Sequence, residues 1–290
     1  MAIPESKNNS LKGWKGLLLF ILPYLIIVGF FQLVGFSVAG VDIVEMEEHQ
    51  STSQMAISSL FGSVGTFLVV WLFTKGIYKE SFNSLGFSID DRGKEFMAGM
   101  LVGFFVMALS FYLLLILNQV NVETIAFDPT AIAWLFLLFV IVAIVEEVLF
   151  RGFVLGNLMA SFHKYTALIV SALIFTVLHA LNPNVSLFGL LNLFLAGILL
   201  GLPYIYTQNL WFPISLHFSW NFFQSVFGFH VSGMEVYSVI QISRTENNLL
   251  NGGEFGFEGS VLCTFLLISI ILICYIYYKG VEEMTQRELV

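Results

Sequence analysis

Hydrophobic residues in this chain fall into long blocks separated by short polar stretches. Runs long enough to cross about 30 Å of hydrocarbon occupy roughly 16–39, 54–77, 96–118, 131–158, 165–181, 186–206, 210–228 and 259–278. This pattern predicts an all-α, polytopic transmembrane helical bundle of about eight spans, the fifth and seventh being short. The first block is longer than the core of a signal peptide and has no clear cleavage site, so it is expected to remain as a span. Neither an internal repeat nor an appended soluble domain interrupts the series, and 1–290 is expected to form a single membrane domain.

The basic residues give an independent reading of topology, because Lys and Arg are retained on the cytoplasmic side of short loops. Lys7, Lys12 and Lys15 precede the first span, Lys75, Lys79, Arg92 and Lys94 lie between the second and third, Lys164 between the fourth and fifth, and Lys279 and Arg287 after the last. In an eight-span arrangement all of them share one side. The loops 41–53, 119–130, 182–185 and 229–258 on the other side hold a single basic residue, Arg244. Both termini are therefore expected in the cytoplasm. The 229–258 segment, with the turn signal Asn251-Gly252-Gly253 and acidic Glu235, Glu246, Glu254 and Glu258, is expected to be a solvated loop, with a lid over a binding site as the alternative.

Composition agrees with lipid as the main solvent: 58% of residues are hydrophobic and 11% charged, against about a quarter charged in a soluble domain. The localisation expected is an integral multi-pass protein of the cell membrane. A net charge of −8 argues against nucleic acid as a partner. Cys263 and Cys274 lie roughly 16 Å apart along one helix at about 1.5 Å per residue, so they form no disulfide within it.

Against this apolar background, charged side chains inside a span are costly and mark polar cavities or mutual pairing. The fourth block reads Ile141-Val142-Ala143-Ile144-Val145-Glu146-Glu147-Val148-Leu149-Phe150-Arg151. Glu147 and Arg151, four apart, share a helix face and suit an ion pair. Glu146 is turned about 100° away, free to address a different cavity. His179 lies in the fifth block; His217 and Asn221, one turn apart on one face, lie in the seventh. A carboxylate able to deprotonate water, imidazoles able to donate or accept, and an amide donor are the parts needed to hydrolyse an amide. His49, His163 and His230 fall in loops or at helix ends and are expected to be merely solvated. The patterns Gly99-x-x-x-Gly103 and Gly197-x-x-x-Gly201 predict close helix packing, within the chain rather than between chains. Asn192, in the sixth block, is expected to hydrogen-bond between helices or to support the site.

Taken in order, Glu146-Glu147 with Arg151, Phe175 with His179, and His217 with Asn221 resemble the CPBP intramembrane protease family, which groups type II CAAX prenyl endopeptidases with bacteriocin-processing and abortive-infection-type membrane proteins. The likeness covers roughly 136–228, the expected catalytic core, and includes Asn209-Leu210-Trp211-Phe212-Pro213-Ile214 ahead of His217. The resemblance implies an intramembrane endopeptidase in which Glu146 and His179 activate water, His217 and Asn221 stabilise the oxyanion, and Glu147 and Arg151 orient and neutralise the site. It implies a membrane-associated substrate, either CAAX-like or a hydrophobic peptide. Arg151, near the cytoplasmic end of its span, sets the expectation that the cavity opens to the cytoplasmic side. No cofactor is expected on the favoured, glutamate-based reading. Zinc held by Glu146, His179 and His217 is the alternative, since three protein ligands suffice for a catalytic zinc, although there is no HExxH. A non-proteolytic immunity or scaffold protein of the same family and a proton-coupled transporter are the competing functions.

Overall fold

The computed structural model describes residues 11–42 and 50–288; Lys7 and His49 lie outside them. Among the described residues eight helices follow one another: α1 (Trp14–Ala39), α2 (Thr52–Ile77), α3 (Gly93–Ile116), α4 (Pro129–Met159), α5 (Lys164–His179), α6 (Leu187–Thr207), α7 (Trp211–Val226) and α8 (Val261–Glu288). All except α5 and α7 are long and apolar enough to cross a membrane. The protein is thus an all-α polytopic bundle, and each helix falls on one of the apolar blocks.

Local chemistry explains where the helices begin and end. The Ser51 hydroxyl accepts the Gln54 N–H while the Gln54 side chain accepts the Ser51 N–H, a reciprocal cap that satisfies two otherwise unpaired donors of α2. Asp128 caps α4 by accepting from the Thr130 and Ala131 amides, with Pro129 in the first turn, where its missing N–H costs nothing. Ser186 caps α6 through the Gly189 amide. Gly40 ends α1 in the left-handed conformation, which glycine adopts without a Cβ clash.

Successive helices run in opposite directions, and polar contacts tie the two ends of the bundle. At one end Lys12 pairs with Glu80 at 2.5 Å and Lys164 with Glu282 at 2.6 Å, while the Gly13 amide donates to Asn157. The described basic residues other than Arg151 and Arg244 belong to this end, as the charge pattern predicts. At the other end Asn182 donates to the Ser232 carbonyl, and Tyr237 joins Thr52 to Ala126.

Neighbours in the bundle are α1 with α2, α2 with α4, α4 with α7, α7 with α3, α5 with α6, and α6 with α8. Both glycine patterns sit at such seams within the chain. A Cβ on Gly99 would lie 2.7 Å from the Phe212 carbonyl, and one on Gly103 2.7 Å from Ser219 on α7. A Cβ on Gly197 would lie 2.9 Å from Ala172 on α5.

The non-basic end departs from the expectation of plain loops. β1 (Val120–Ile125) pairs antiparallel with β2 (Ile240–Arg244), with a bulge between Val122 and Thr124. The alternation Val120-Asn121-Val122-Glu123-Thr124-Ile125 has a strand period, but its partner lies more than a hundred residues away and no local signal announces it. The 229–258 segment is not simply solvated either. Phe229, Phe255 and Phe257 are buried, and Asn251 is held by the Glu246 carbonyl. Asn192 on α6 fastens the segment by donating to the Glu258 and Ser260 carbonyls while accepting from Thr264 of α8. That is the role of this buried amide: it staples a loop and a neighbouring helix.

Candidate active site

The site is assembled around a change of helical winding in α4. The helix is regular from Pro129 to Glu147 and then adopts a π-turn over Val148–Leu155. Such widened turns are uncommon and frequently accompany functional sites. Every residue of this turn is buried, and Glu147 and Arg151 are themselves 0% and 1% exposed. Arg151 Nη1 donates to Glu147 Oε1 at 2.7 Å, so the expected pair forms. The guanidinium also lies 4.8 Å from the centroid of the Phe175 ring on α5, where the ring quadrupole adds to its stabilisation.

The same Glu147 oxygen accepts a second hydrogen bond, from His217 Nδ1 at 2.7 Å. An ionised carboxylate only accepts, so His217 must carry its proton on Nδ1, and Nε2 faces away from Glu147. On α5 the His179 Nδ1 lies 2.8 Å from the Phe175 carbonyl, which likewise only accepts. That bond fixes the His179 ring and turns its Nε2 outward. Both Nε2 atoms face one oxygen, Glu146 Oε2, at 3.8 Å from His179 and 3.9 Å from His217. Glu146 Oε2 is buried and has no hydrogen-bond partner among the protein atoms. The two adjacent glutamates therefore bracket His217, one at each ring nitrogen, rather than serving unrelated cavities.

Glu146, His179, His217 and Asn221 all line one cavity of about 550 Å³. Its remaining wall is mostly apolar, with Phe139, Leu149 and Phe150 from α4, Tyr24 from α1 and Thr66 from α2. Glu147 and Arg151 are absent from the wall. They stand behind His217, with Glu147 accepting from its Nδ1 and from Arg151.

The depth of the cluster follows from the shortness of α5. Its 16 residues span ~24 Å at about 1.5 Å per residue, less than the ~30 Å of a hydrocarbon core. The helix starts at the basic end and stops at His179, leaving the His inside the bundle. The non-basic end fills the space beyond it: Val231, Ser232, Met234 and Val236 line the cavity together with Glu258. Glu258 accepts the Ser232 amide at 2.6 Å and the Ser232 hydroxyl at 2.9 Å. Irregular backbone is tolerated at such depth where protein surrounds it.

The cavity wall lies toward the non-basic end of the bundle. The wall contains no residue of the 78–92, 160–163 or 208–210 connections at the basic end, but reaches Met55, Met234 and Val236 at the opposite end. Arg151 is sealed in the core and does not line the cavity. Glu258, expected as one more solvated acid of the loop, instead lines the cavity. Its spacing from other loop acids carries no sign of burial; the clue available was the run of Phe255 and Phe257 beside it, which needs a core to enter. Of the histidines expected to be bystanders, His163 precedes α5 and His230 bonds a loop carbonyl, and neither lines the cavity.

The donor set can be tested against a metal by its spacing. Two ligands of a tetrahedral zinc, each about 2.0–2.1 Å from the ion, stand roughly 3.3–3.4 Å apart. The observed 3.8 and 3.9 Å are wider, and among the described residues no group of three or more His, Cys, Asp or Glu has metal-binding geometry. As arranged, Glu146, His179 and His217 do not fit a zinc ion. The same separations suit a water hydrogen-bonded at about 2.8 Å to each atom.

Residues 128–223 match the family model described as Type II CAAX prenyl endopeptidase Rce1-like. That interval runs from the cap of α4 to the fourth turn of α7 and contains Glu146, Glu147, Arg151, His179, His217 and Asn221. No curated protein and no solved structure matches the chain.

Proposed function

We propose that this chain, which carries a domain of the type II CAAX prenyl endopeptidase Rce1-like family, a family of proteases, is an intramembrane endopeptidase that hydrolyses peptide bonds by glutamate-activated water. The observation that carries this reading is the convergence of His179 Nε2 and His217 Nε2 on Glu146 Oε2 inside an apolar cavity.

In this mechanism a water held between Glu146 and His179 attacks the scissile carbonyl carbon and gives its proton to the Glu146 carboxylate. The carbonyl oxygen becomes an oxyanion that accepts from His217 Nε2–H and the Asn221 amide. Glu147, hydrogen-bonded to Nδ1, and the Glu146 carboxylate facing Nε2 together offset the charges of Arg151 and the doubly protonated His217 ring. When the tetrahedral intermediate collapses, the C–N bond breaks and the proton on Glu146 passes to the leaving amine, restoring the carboxylate. Low polarity around the site increases the worth of each of these donors. No step requires a metal.

The bundle is read as eight spans with both termini in the cytoplasm, placing the basic loops inside and the cavity mouth at the opposite face. The catalytic core would then take in 136–228, with the rest of 1–290 completing a single domain. The test is mass-spectrometric detection of peptide cleavage by purified protein in liposomes, with and without a chelator, beside Glu146→Gln. Cleavage by wild type alone, insensitive to chelator, is expected. Products from both proteins would refute the role of Glu146, and loss of wild-type activity with chelator would refute the metal-free mechanism. If wild type yields no product but retains a membrane partner, an immunity or scaffolding function replaces the peptidase.

A further inference from the structure

The part of the cavity wall that α1 and α2 contribute carries a polar group with no role in the mechanism above. Between Gly16 and Phe36, α1 has only two polar side chains, Tyr24 and Gln32. With Val28 between them they recur every four residues, share one helix face and line the cavity. The Tyr24 hydroxyl lies 3.5 Å from Thr66 Oγ1 on α2. The Gln32 carboxamide has no hydrogen-bond partner among the described residues. Such a group is costly inside an apolar span and marks a place where a polar partner is met. Space is also reserved for it. A Cβ on Gly62 of α2 would lie 2.4 Å from Gln32 Oε1 and 3.6 Å from its Cδ. Gly35 and Gly65 differ, since a Cβ on either would meet a main-chain atom of the facing helix at 3.0 Å, Ser58 Cα and Val28 Cα respectively. Those two glycines let α1 and α2 approach, whereas Gly62 makes room for a carboxamide at the cavity.

A peptide bond is hydrolysed only when its carbonyl is open to water, so a substrate must be extended rather than helical where it is cut. Extension strips its N–H and C=O groups of helical partners, and inside an apolar cavity each needs a new one. The N–H and C=O of one extended residue point to the same side, a pattern that a carboxamide matches with its NH2 group and its oxygen. On the same wall the Ser63 and Thr66 hydroxyls donate to carbonyls of their own helix at 2.6 and 3.1 Å, and Ser59 offers a hydroxyl alone. We infer that Gln32 is a substrate-binding residue whose carboxamide pairs with both the N–H and the C=O of one residue of the extended substrate. This rests on the peptidase reading and adds to it a residue of α1, outside the 128–223 interval. Because the contact is to the main chain, it holds the substrate whatever side chain that residue carries.

The probe is a fluorescein-labelled decapeptide of Leu, Val and Ala, together with a series in which each amide in turn is replaced by an ester, which removes the N–H. Binding is measured by fluorescence anisotropy and cleavage by mass spectrometry, both in detergent micelles, for wild type, Gln32→Met and Gly62→Ala. Gln32→Met keeps the length of the side chain and removes both polar ends. It should weaken binding about tenfold and raise KM to match, with little change in kcat and no fall in Tm. One ester position should weaken binding to wild type and leave binding to Gln32→Met unchanged. Gly62→Ala, which displaces the carboxamide, should repeat this behaviour and supplies the comparison if Gln32→Met does not fold. Unchanged binding in both variants, or the same ester profile in wild type and variants, overturns the inference whether or not peptide is cut. A loss confined to kcat and accompanied by a lower Tm also overturns it, as does a wild type that fails to bind the probe, since main-chain pairing does not depend on the probe's side chains. If no peptide is cut but an ester-sensitive position depends on Gln32, the peptidase reading fails and the inference stands.

Discussion

Glu147→Gln separates the electrostatic scaffold from the chemistry it supports. In the native protein one Glu147 oxygen receives both Arg151 Nη1 and His217 Nδ1 at 2.7 Å, in a place with no exposure of Glu147. Removing one member of a buried pair costs about 3–5 kcal/mol, because the remaining charge is left without compensation. Gln keeps an acceptor oxygen, and the Phe175 ring still faces the guanidinium, so a loss near the lower end, ~3 kcal/mol, is expected. At about 2–4 °C per kcal/mol for large domains, Tm should fall by roughly 6 °C or more. Unfolding can be followed with a thiol-reactive dye, since Cys263 is buried and Cys274 half-buried. The double variant Glu147→Gln/Arg151→Met removes both charges and should recover most of the loss, as replacing a complete buried pair by apolar groups is often nearly neutral. A Tm for Glu147→Gln within about 2 °C of wild type, or a double variant less stable than the single, would refute the argument that the pair is held by mutual compensation.

Glu146→Gln should abolish or reduce turnover by about 100- to 10,000-fold, the range typical of a general base, while leaving Tm nearly unchanged because Glu146 faces the cavity; a large fall in Tm would contradict that placement. Asn221→Ala should lower kcat by about 100-fold or more with little change in KM, as expected for a donor used mainly in the transition state, and a change confined to KM would assign Asn221 to substrate binding instead. Gly103→Ala should destabilise the bundle by roughly 1–3 kcal/mol through overpacking against Ser219 and Trp220, read as a lower Tm without a change in oligomeric state. In a background lacking Cys263 and Cys274, an impermeant maleimide applied to intact cells should label Glu246→Cys and spare Asp90→Cys; the reverse pattern would invert the proposed topology.

Much of this protein is determined by one-dimensional properties of the chain. Block hydrophobicity defines the helices, because in lipid a continuous apolar run has few alternatives to a helix that satisfies its own backbone. Charge segregation separates the two ends, and the Ser51, Asp128 and Ser186 caps are visible as local signals. The candidate site residues also announce themselves, since Glu146, Glu147, Arg151, His179, His217 and Asn221 are costly in a span unless they meet. What only tertiary structure decides is how they meet: that Glu147 serves both Arg151 and His217, that Glu146 faces the two remaining imidazole nitrogens, and that the cavity runs toward the non-basic end. Those facts depend on where α5 stops, on the π-turn of α4 and on the 229–258 segment entering beyond His179. Each is a relation between distant segments, set by packing and by pairing such as Glu258 with Ser232 and β1 with β2, and no periodicity along a single segment encodes it.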